Sequence, residues 1–230
     1  MDWDSLPKHT NTVQGVPHDV TSLRLRRVAE SHRGLRKLEA LKTLLVFCPN
    51  QACIDEIGDL PALETLQIEE TRATDLRPLT RCRSLRHLVV KSATQVADLE
   101  WLGGLPPMKA VALSHFPKVS DIEAIVALRG VSAFGFEGDT WTTQRVSSFQ
   151  PLRALDGIEA LFLTNCRPRT GGVDVLHSMH SLRYLEIAGF FPDDDFLWLQ
   201  RALPQLSCYW FDAIRENGSI EKTLEKAKKG

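Results

Sequence analysis

The chain has 230 residues, 28 basic against 29 acidic side chains and a formal net charge of -1, and 43% of its residues are hydrophobic. A balance this even gives no general electrostatic reason to bind nucleic acid or anionic lipid. The first residues show no basic segment followed by an apolar one, and no run approaches the ~18 apolar residues of a membrane span, so we expect a cytoplasmic protein without a secretory signal.

The cysteines favour the same compartment. There are five of them, scattered along the chain at Cys48, Cys53, Cys82, Cys166 and Cys208. Because an odd and irregularly spaced set does not make a disulfide framework, we expect reduced thiols.

A hydrophobic triplet with the spacing L-x-x-L-x-L returns along the chain. After a weaker first unit at Val20, Leu23 and Leu25, triplets begin at Leu41, Leu63, Leu85, Met108, Val131, Ile158, Leu182 and Leu206. The steps between these eight positions are 22, 22, 23, 23, 27, 24 and 24 residues. A period in this range predicts a solenoid, in which each unit buries its apolar edge against its neighbours.

Each unit contains a strand followed by a segment that leads back to the start of the next strand, which we call the return. In the unit that starts at Leu85, the alternation around Leu88 and Val90 predicts a short strand, which turns His87 and Lys91 to the opposite face of the sheet. Apolar residues at every third position then predict a short helical or 3₁₀ return. The polar residues placed to cap these returns are Asp75, Asp98, Asp121 and Ser148.

The strands and the D-L-x-x-L-x-x-L returns, over about residues 20 to 212, resemble leucine-rich repeats. The returns are similar to the SDS-type class, which occurs in a regulatory subunit of protein phosphatase and in bacterial internalins. The resemblance implies an α/β solenoid with a curved parallel sheet on its concave face and short helical or 3₁₀ returns on its convex face. The asparagine that usually follows the strand is replaced by Thr71, Ala93, Phe116, Asp139, Cys166 and Phe190. Only Cys166 is an accepted substitute, so we expect irregular turns on that rim.

The two ends of a solenoid expose core that must be covered. We expect residues 1–19 to form an N-terminal cap with Trp3, Leu6 and Val16, and residues 20–212 to form about nine repeats. Residues 213–230 should form a C-terminal capping helix that Ser219 begins. The cysteine-bonded caps of extracellular relatives and the wall-sorting signal of internalins are missing, which again favours the cytosol.

The outward strand positions make the concave face the first candidate site. Its middle is small and apolar, and its charge runs from Arg24 and Arg26 at one end to acidic residues at the other. Exposed aromatic side chains on such a surface are typical binding hot spots. The partner-binding residues predicted here are Phe47, His87, Lys91, Glu137, Phe162, Tyr184, Glu186 and Trp210. The alternative is that a terminal cap covers Trp210 and that the small residues only relieve crowding.

The second candidate is the rim formed by the turns after the strands. The longest step places its extra residues at 138–145, and insertions in repeat proteins often lie on the binding face. Trp141 and Arg145 therefore complete the predicted site. The neighbouring loops carry Arg167 and Arg169, Phe190 and Phe191, and the acidic residues Asp193 to Asp195. The alternative is a tolerated loop whose tryptophan folds onto the convex side.

No catalytic, cofactor-binding or metal site is predicted. Cys48 and Cys53 have no second cysteine pair to complete four metal ligands, and His177 and His180 lie on a return. The glycines at 171 and 172 lack the lysine and the strand–helix context of a phosphate loop, and no hydrolase motif is present. A basic stretch between residues 24 and 37 lacks aromatic stacking partners, which favours a solvated cap region over a nucleic-acid site.

We therefore predict a non-enzymatic, cytoplasmic module that binds another protein, as a monomer or in a 1:1 heteromer, with no cofactor, no nucleic acid and no membrane among its partners. Two narrower alternatives stay open. One is a bacterial inhibitor or immunity protein that neutralises a cognate toxin or enzyme. The other is a phosphatase-type regulatory subunit, which rests on family analogy alone. Related ligases carry a separate catalytic domain after the repeats, and we expect none here.

Overall fold

A computed structural model describes residues 10–228, and most of its strands lie in one parallel sheet. The strands of this sheet, in spatial order, are β1 (Ser22–Arg26), β2 (Thr43–Phe47), β3 (Thr65–Glu69), β4 (His87–Lys91), β5 (Ala110–Ser114), β6 (Ala133–Glu137), β8 (Ala160–Leu163), β10 (Tyr184–Ile187) and β11 (Ser207–Cys208). Each strand pairs in parallel with the next, which confirms the predicted leucine-rich-repeat solenoid.

The triplet residues stack in register across the sheet and form its core. Leu23 pairs with Leu44, Leu44 with Leu66, and Leu66 with Leu88. Each of these four leucines is buried. Burying one leucine side chain contributes roughly 1.5–3 kcal/mol, so a row of identical positions stabilises the stack repeat by repeat.

The returns are mostly 3₁₀ segments, as the three-residue spacing predicts. They span Leu35–Lys37, Arg77–Arg81, Glu100–Gly104, Glu123–Ala127, Gln150–Ala154 and Val173–Ser178, and two returns are α-helices, α1 (Gln51–Gly58) and α2 (Asp193–Ala202). The predicted capping residues lie one position before the N-caps, which are Leu76, Leu99, Ile122 and Phe149, but they still bond the start of each return. The side chains of Asp75, Asp98, Asp121 and Ser148 each accept the backbone N–H two residues later, at 2.9, 3.0, 2.8 and 3.1 Å.

The turns after β2, β3, β4 and β5 are regular, which corrects the expectation of irregular turns for that half of the rim. The first residue after the strand adopts a left-handed conformation at Cys48, Glu70, Ser92 and His115, with φ between 55° and 58°. In each case its backbone N–H donates to the last residue of the next strand, for example from Glu70 to the Lys91 carbonyl at 2.9 Å. The rim therefore continues the sheet ladder by one residue without an asparagine.

A second sheet, which the sequence did not predict, lies beside this rim. β7 (Gln144–Ser148) and β9 (Cys166–Thr170) pair in parallel, with Gln144 opposite Cys166 and Arg145 opposite Arg167. The Gln144 side chain accepts the Phe116 N–H at 3.0 Å and donates to the Val119 carbonyl at 2.7 Å. These two hydrogen bonds attach the inserted segment to the turn after β5.

The C-terminal end departs from the predicted register. Ser207 pairs with Tyr184 and Cys208 with Leu185, and the chain then enters α3 (Tyr209–Asn217) and α4 (Ile220–Ala227). Two helices thus stand where one was expected. Ser219 caps α4 by accepting the Lys222 N–H at 3.1 Å, as predicted.

At the other end, Thr10 bridges to Leu25, and Val13 is buried against the core with Val16 packed beside it. The predicted contributions of Trp3 and Leu6 lie outside the described residues. None of the helices that the structure describes is both long and apolar enough to cross a lipid bilayer.

Candidate functional site

The open face of the nine-stranded sheet has a floor of small residues at its centre. Its members are Ala110, Ala112, Ala133, Gly135 and Ala160. A Cβ atom added to Gly135 would lie 3.3 Å from the Cβ of Phe162 and 3.6 Å from that of Ala112, so the strands leave no room for a larger side chain. The floor is a shallow trough with Val89 at one side and Phe162 at the other.

An aromatic pair stands at the C-terminal side of this trough. The rings of Phe162 and Tyr184 lie 5.5 Å apart between centroids, and Tyr184 is 43% exposed. The Tyr184 hydroxyl donates to Glu186 at 3.4 Å, and the Thr164 hydroxyl donates to the same carboxylate at 3.0 Å. These contacts hold the aromatic and acidic side chains together on one patch, which we call the aromatic–acidic cluster (Glu137, Phe162, Thr164, Tyr184 and Glu186).

The acidic part of this cluster is partly desolvated. Burial raises the pKa of Glu137, the charge of Glu186 raises it further, and a hydrogen bond from Thr164 opposes both effects. A carboxylate that is costly to keep charged in the free protein gains more from a cationic partner than a solvated one does. The cluster therefore favours positive charge in whatever covers it.

The N-terminal part of the face has the opposite sign. The guanidinium groups of Arg24 and Arg26 lie 5.8 and 5.0 Å from the centroid of the Phe47 ring. Lys91 is engaged by Glu69 at 3.6 Å, so it adds little net charge. The predicted charge gradient along the face is thus present in the geometry.

His87 lies between these two regions and is half-buried. Burial, with the positive charge of Lys109, lowers the pKa of the imidazole. The lowered pKa keeps the imidazole neutral at physiological pH. His87 therefore contributes shape and hydrogen bonding to the face, not charge.

Trp141 is the most exposed large apolar side chain among the described residues, at 91%. The loop that carries it is tied down by Asp139, which accepts the Trp141 and Thr142 N–H groups at 2.7 and 2.5 Å and contacts His115 at 2.7 Å. The hydrogen bond from the Trp141 N–H lowers the pKa of the Asp139 carboxyl. The alternative that the tryptophan folds onto the convex side is excluded, since its ring stands in solvent.

Arg145 follows this loop in the chain and is exposed on β7. The structure thus divides the predicted residues into three groups: Phe47, His87 and Lys91 on the N-terminal half of the face, the aromatic–acidic cluster, and the rim pair Trp141 and Arg145. Thr164, which orients Glu186, was not predicted as a contact residue. A hydroxyl one residue after the strand that pairs with β10 was its only sequence signal.

The prediction for Trp210 is wrong. Trp210 lies in α3, is 7% exposed, and donates its indole N–H to the Ile187 carbonyl at 2.7 Å. The cause is the register of β11, because a shift of one residue turns every side chain of a strand to the other face. Cys208 accordingly points inward with Leu185, and Trp210 closes the end of the stack.

Four of the five cysteines are buried beneath the surface of the described part of the chain. Burial raises the pKa of Cys53, Cys82 and Cys166 to about 12, and that of Cys208 to about 11, which leaves these thiols protonated at neutral pH. Within residues 10–228 no group of three or more His, Cys, Asp or Glu side chains is placed to hold a metal ion. What the surface supplies is contact area, aromatic anchors and charge.

Comparison with known proteins shows the fold. No protein-family model matches the chain, and a search of curated proteins finds no match either. Among solved structures, an internalin, InlF, from Listeria monocytogenes is similar over 82% of this chain, with a TM-score of 0.51 and 15% identity. A leucine-rich-repeat protein from Leptospira interrogans is similar over 83% of it, with a TM-score of 0.54 and 17% identity.

A plant peptide hormone receptor, RGFR1, solved in complex with RGF2, is similar over 88% of the chain, with a TM-score of 0.54 and 12% identity. The chain spans 60% of the internalin, 48% of the Leptospira protein and 37% of the plant receptor. At these identities the likeness establishes a leucine-rich-repeat architecture.

Proposed function

We propose that this chain is a non-enzymatic protein-binding module whose partner docks on the concave face. The observation that carries the proposal is the aromatic–acidic cluster, where Phe162 and Tyr184 contact each other beside a trough of alanine and glycine. Neither aromatic ring belongs to the hydrophobic core, so their place on the open face is not explained by folding. The structural likeness to a receptor solved in a complex is consistent with this use of the fold.

The trough and the aromatic pair have complementary roles. Because Ala112 and Gly135 project little from the sheet, a helix or strand of the partner can approach the backbone closely. Phe162 and Tyr184 then bury apolar area at the edge of the contact, where rings lose little conformational entropy. Nine strands at a spacing of about 4.8 Å make a face about 38 Å long, enough for an interface of ordinary size.

Charge sets the orientation of the partner. Arg24 and Arg26 lie on β1 at one end of the face, and Glu137 and Glu186 lie on β6 and β10 in its other half. We expect a partner whose contacting surface is acidic towards β1 and basic towards β10, because like charges brought together would oppose docking.

Two buried polar atoms on the N-terminal half also lack partners among the described residues. They are Arg24 Nε and Gln67 Oε1. A buried polar atom without a hydrogen bond costs roughly 1–3 kcal/mol. Both atoms are buried, so docking removes that cost only where the two side chains turn outward to meet a carbonyl and an N–H of the partner.

The narrower form of the proposal is an inhibitor or immunity protein that covers a partner's own site in a cytoplasmic 1:1 complex. A long, preformed face with a ready-made charge gradient suits occlusion of another protein's surface. The five free cysteines, four of them buried, suit a reducing compartment.

The test begins with capture of partners from native cytosol on the wild-type protein and on Phe162→Ala and Tyr184→Ala variants, with quantitative mass spectrometry. The purified candidate is then titrated calorimetrically. We expect each variant to weaken binding by about 2 kcal/mol, close to 30-fold in the dissociation constant, as a hot-spot residue does.

Two controls separate binding from folding. Trp198→Ala removes an exposed aromatic from α2 on the convex side and should leave the affinity unchanged. Leu161→Ala removes a fully buried neighbour of Phe162 and should instead lower the free energy of unfolding by ~2–5 kcal/mol. If Phe162→Ala and Tyr184→Ala keep full affinity in folded protein, the concave face is not the docking site.

A further inference from the structure

The small β7–β9 sheet presents three arginines on one face. Burial alternates along both strands, so that Gln144, Val146, Cys166 and Pro168 point inward while Arg145, Arg167 and Arg169 point outward. Arg145 is directly opposite Arg167, and Arg169 follows two residues later on the same strand. We call this set the arginine face (Arg145, Arg167 and Arg169).

The arginine face is not neutralised within the described part of the chain. The ion pairs found among residues 10–228 involve other basic groups, including Arg77, Arg81 and Arg215, and none includes these three arginines. Like charges directly opposite each other on neighbouring strands disfavour the sheet. The fold therefore carries an electrostatic cost here that a bound anion would relieve.

The arginine face adjoins an aromatic ring and a surface hollow. Arg167 stacks on Phe190, with its guanidinium carbon 5.6 Å from the ring centroid. Arg167 and Arg169 line a hollow of about 390 Å³ together with Phe190. Asp174 and Asp195 also line this hollow and reduce its positive charge. Neither forms an ion pair with Arg167 or Arg169, so the guanidinium groups keep their hydrogen-bonding capacity.

The arginine face is continuous with the exposed tryptophan. Arg145 and Arg169 share a second hollow with Thr142, the residue that follows Trp141. The loop between them is fixed by the Asp139 hydrogen bonds, by a Thr143 hydroxyl bond to Asn165 at 2.9 Å, and by an Asn165 bond to the Asp139 carbonyl at 2.7 Å. A loop with a fixed backbone thus carries an exposed indole beside a positively charged strip.

We propose that the arginine face and Trp141 bind an acidic segment of the protein partner, with Asp or Glu side chains on the arginines and an apolar side chain against the indole. The proposal rests on the function proposed above and adds a second contact outside the concave face. Guanidinium groups pair with carboxylates through two parallel hydrogen bonds, which suits an extended segment with alternate acidic residues running along the strip.

The probe is a short fluorescein-labelled peptide that alternates Glu with Ala and carries one Leu, and its matched control replaces every Glu with Gln. Binding is followed by fluorescence anisotropy at about 150 mM salt, where charges more than about 8 Å apart are largely screened. We expect the triple variant R145E/R167E/R169E to weaken binding of the acidic peptide about tenfold or more. Trp141→Ala should weaken it less, and the Gln peptide should bind neither protein.

The matched control variant is R129E/R153E/R183E, which reverses three exposed arginines elsewhere on the molecule. It makes the same change in net charge and should retain the affinity for the acidic peptide within about twofold, since steering by net charge alone is weak at this range. Equal losses in the two triple variants, or binding of the Gln peptide as tight as that of the Glu peptide, would overturn the proposal.

Other polyanions are tested in parallel, with vesicles of phosphatidylcholine and phosphatidylserine and with a single-stranded oligothymidine. Tighter, arginine-dependent binding of either one would reject the acidic segment as the occupant. These results can be distinguished from those that test docking on the concave face. Phe162→Ala should leave peptide binding intact. If the protein partner is lost on Phe162→Ala but still binds R145E/R167E/R169E, the second contact is rejected and docking on the concave face is retained.

Discussion

Two neighbouring acidic residues at the end of β6 show how position alters a carboxyl group. Glu137, on the strand, is half-buried, and desolvation raises its pKa. Asp139, in the loop two residues later, accepts the Trp141 N–H, and its pKa is lowered. The first group costs stability when it is charged, and the second adds stability only when it is charged.

The raised pKa of Glu137 predicts a pH-dependent effect of Glu137→Gln. Below the ordinary pKa of 4.5, both folded and unfolded wild-type chains are protonated at this position, so the variant should match wild type. As the pH rises through the window between that value and the raised folded pKa, the wild type loses stability because its folded state must release a proton that it binds more tightly.

Urea unfolding across this pH range measures the difference. The advantage of Glu137→Gln should grow with pH and then level off. Asp139→Asn is the opposing control, because loss of a carboxylate with a lowered pKa should reduce stability most at neutral pH. A variant-to-wild-type difference that does not change with pH would contradict the assignment.

At the scale of elements, the ends of the stack depend on close packing rather than on the repeat. Gly189 follows β10 and lies under the Trp210 ring, which α3 brings over the last repeat. A Cβ atom at Gly189 would lie 2.7 and 2.8 Å from two Trp210 ring carbons and 2.9 Å from Ile220 Cγ2. Neither the rigid indole nor the buried isoleucine can move away easily, so a glycine is needed for α3 and α4 to seal this end.

Gly189→Ala should therefore destabilise the protein by about 1–3 kcal/mol, the usual cost of forcing an extra carbon into a packed site. Gly157→Ala is the matched control. An added Cβ there meets nothing within 4 Å, so the change should stay within about 0.5 kcal/mol. Thermal or urea unfolding of the two variants makes the comparison, and equal stabilities would show that Trp210 does not close the stack as described.

At the scale of the whole molecule, stability is distributed along one axis. Each strand of the main sheet pairs only with its immediate neighbours, and each return packs on the next one. Contacts of this kind make the fold close to a one-dimensional array, in which the middle units have two neighbours and the terminal units have one.

We expect hydrogen–deuterium exchange to follow this arrangement. Amides of β4 and β5 should exchange most slowly, and those of β11, α3 and α4 should exchange faster because local opening begins at the ends. Gly189→Ala should accelerate exchange from β10 to α4 and leave β1 to β3 unchanged. Uniform protection, or a change that spreads over the whole chain, would indicate a single cooperative core instead.

The order of strands and the identity of the buried residues were determined by the sequence alone, because the triplet pattern is local. Leu44, Leu66 and Leu88 occupy the same position in consecutive repeats, and each is buried against its counterpart in the next repeat. The caps were equally predictable, since Asp75, Asp98 and Asp121 act on N–H groups two residues away. The aromatic–acidic cluster followed from the same register.

Only the tertiary structure decided which of the outward positions are available. Leu45 faces outward in register but is 2% exposed, because the side chains of adjacent strands crowd it. The one-residue shift that buries Trp210, the pairing of β7 with β9, and the meeting of Arg145 with Arg167 all join residues from different repeats. Such contacts depend on how one unit lies against the next, and a pattern that repeats within each unit carries no information about them.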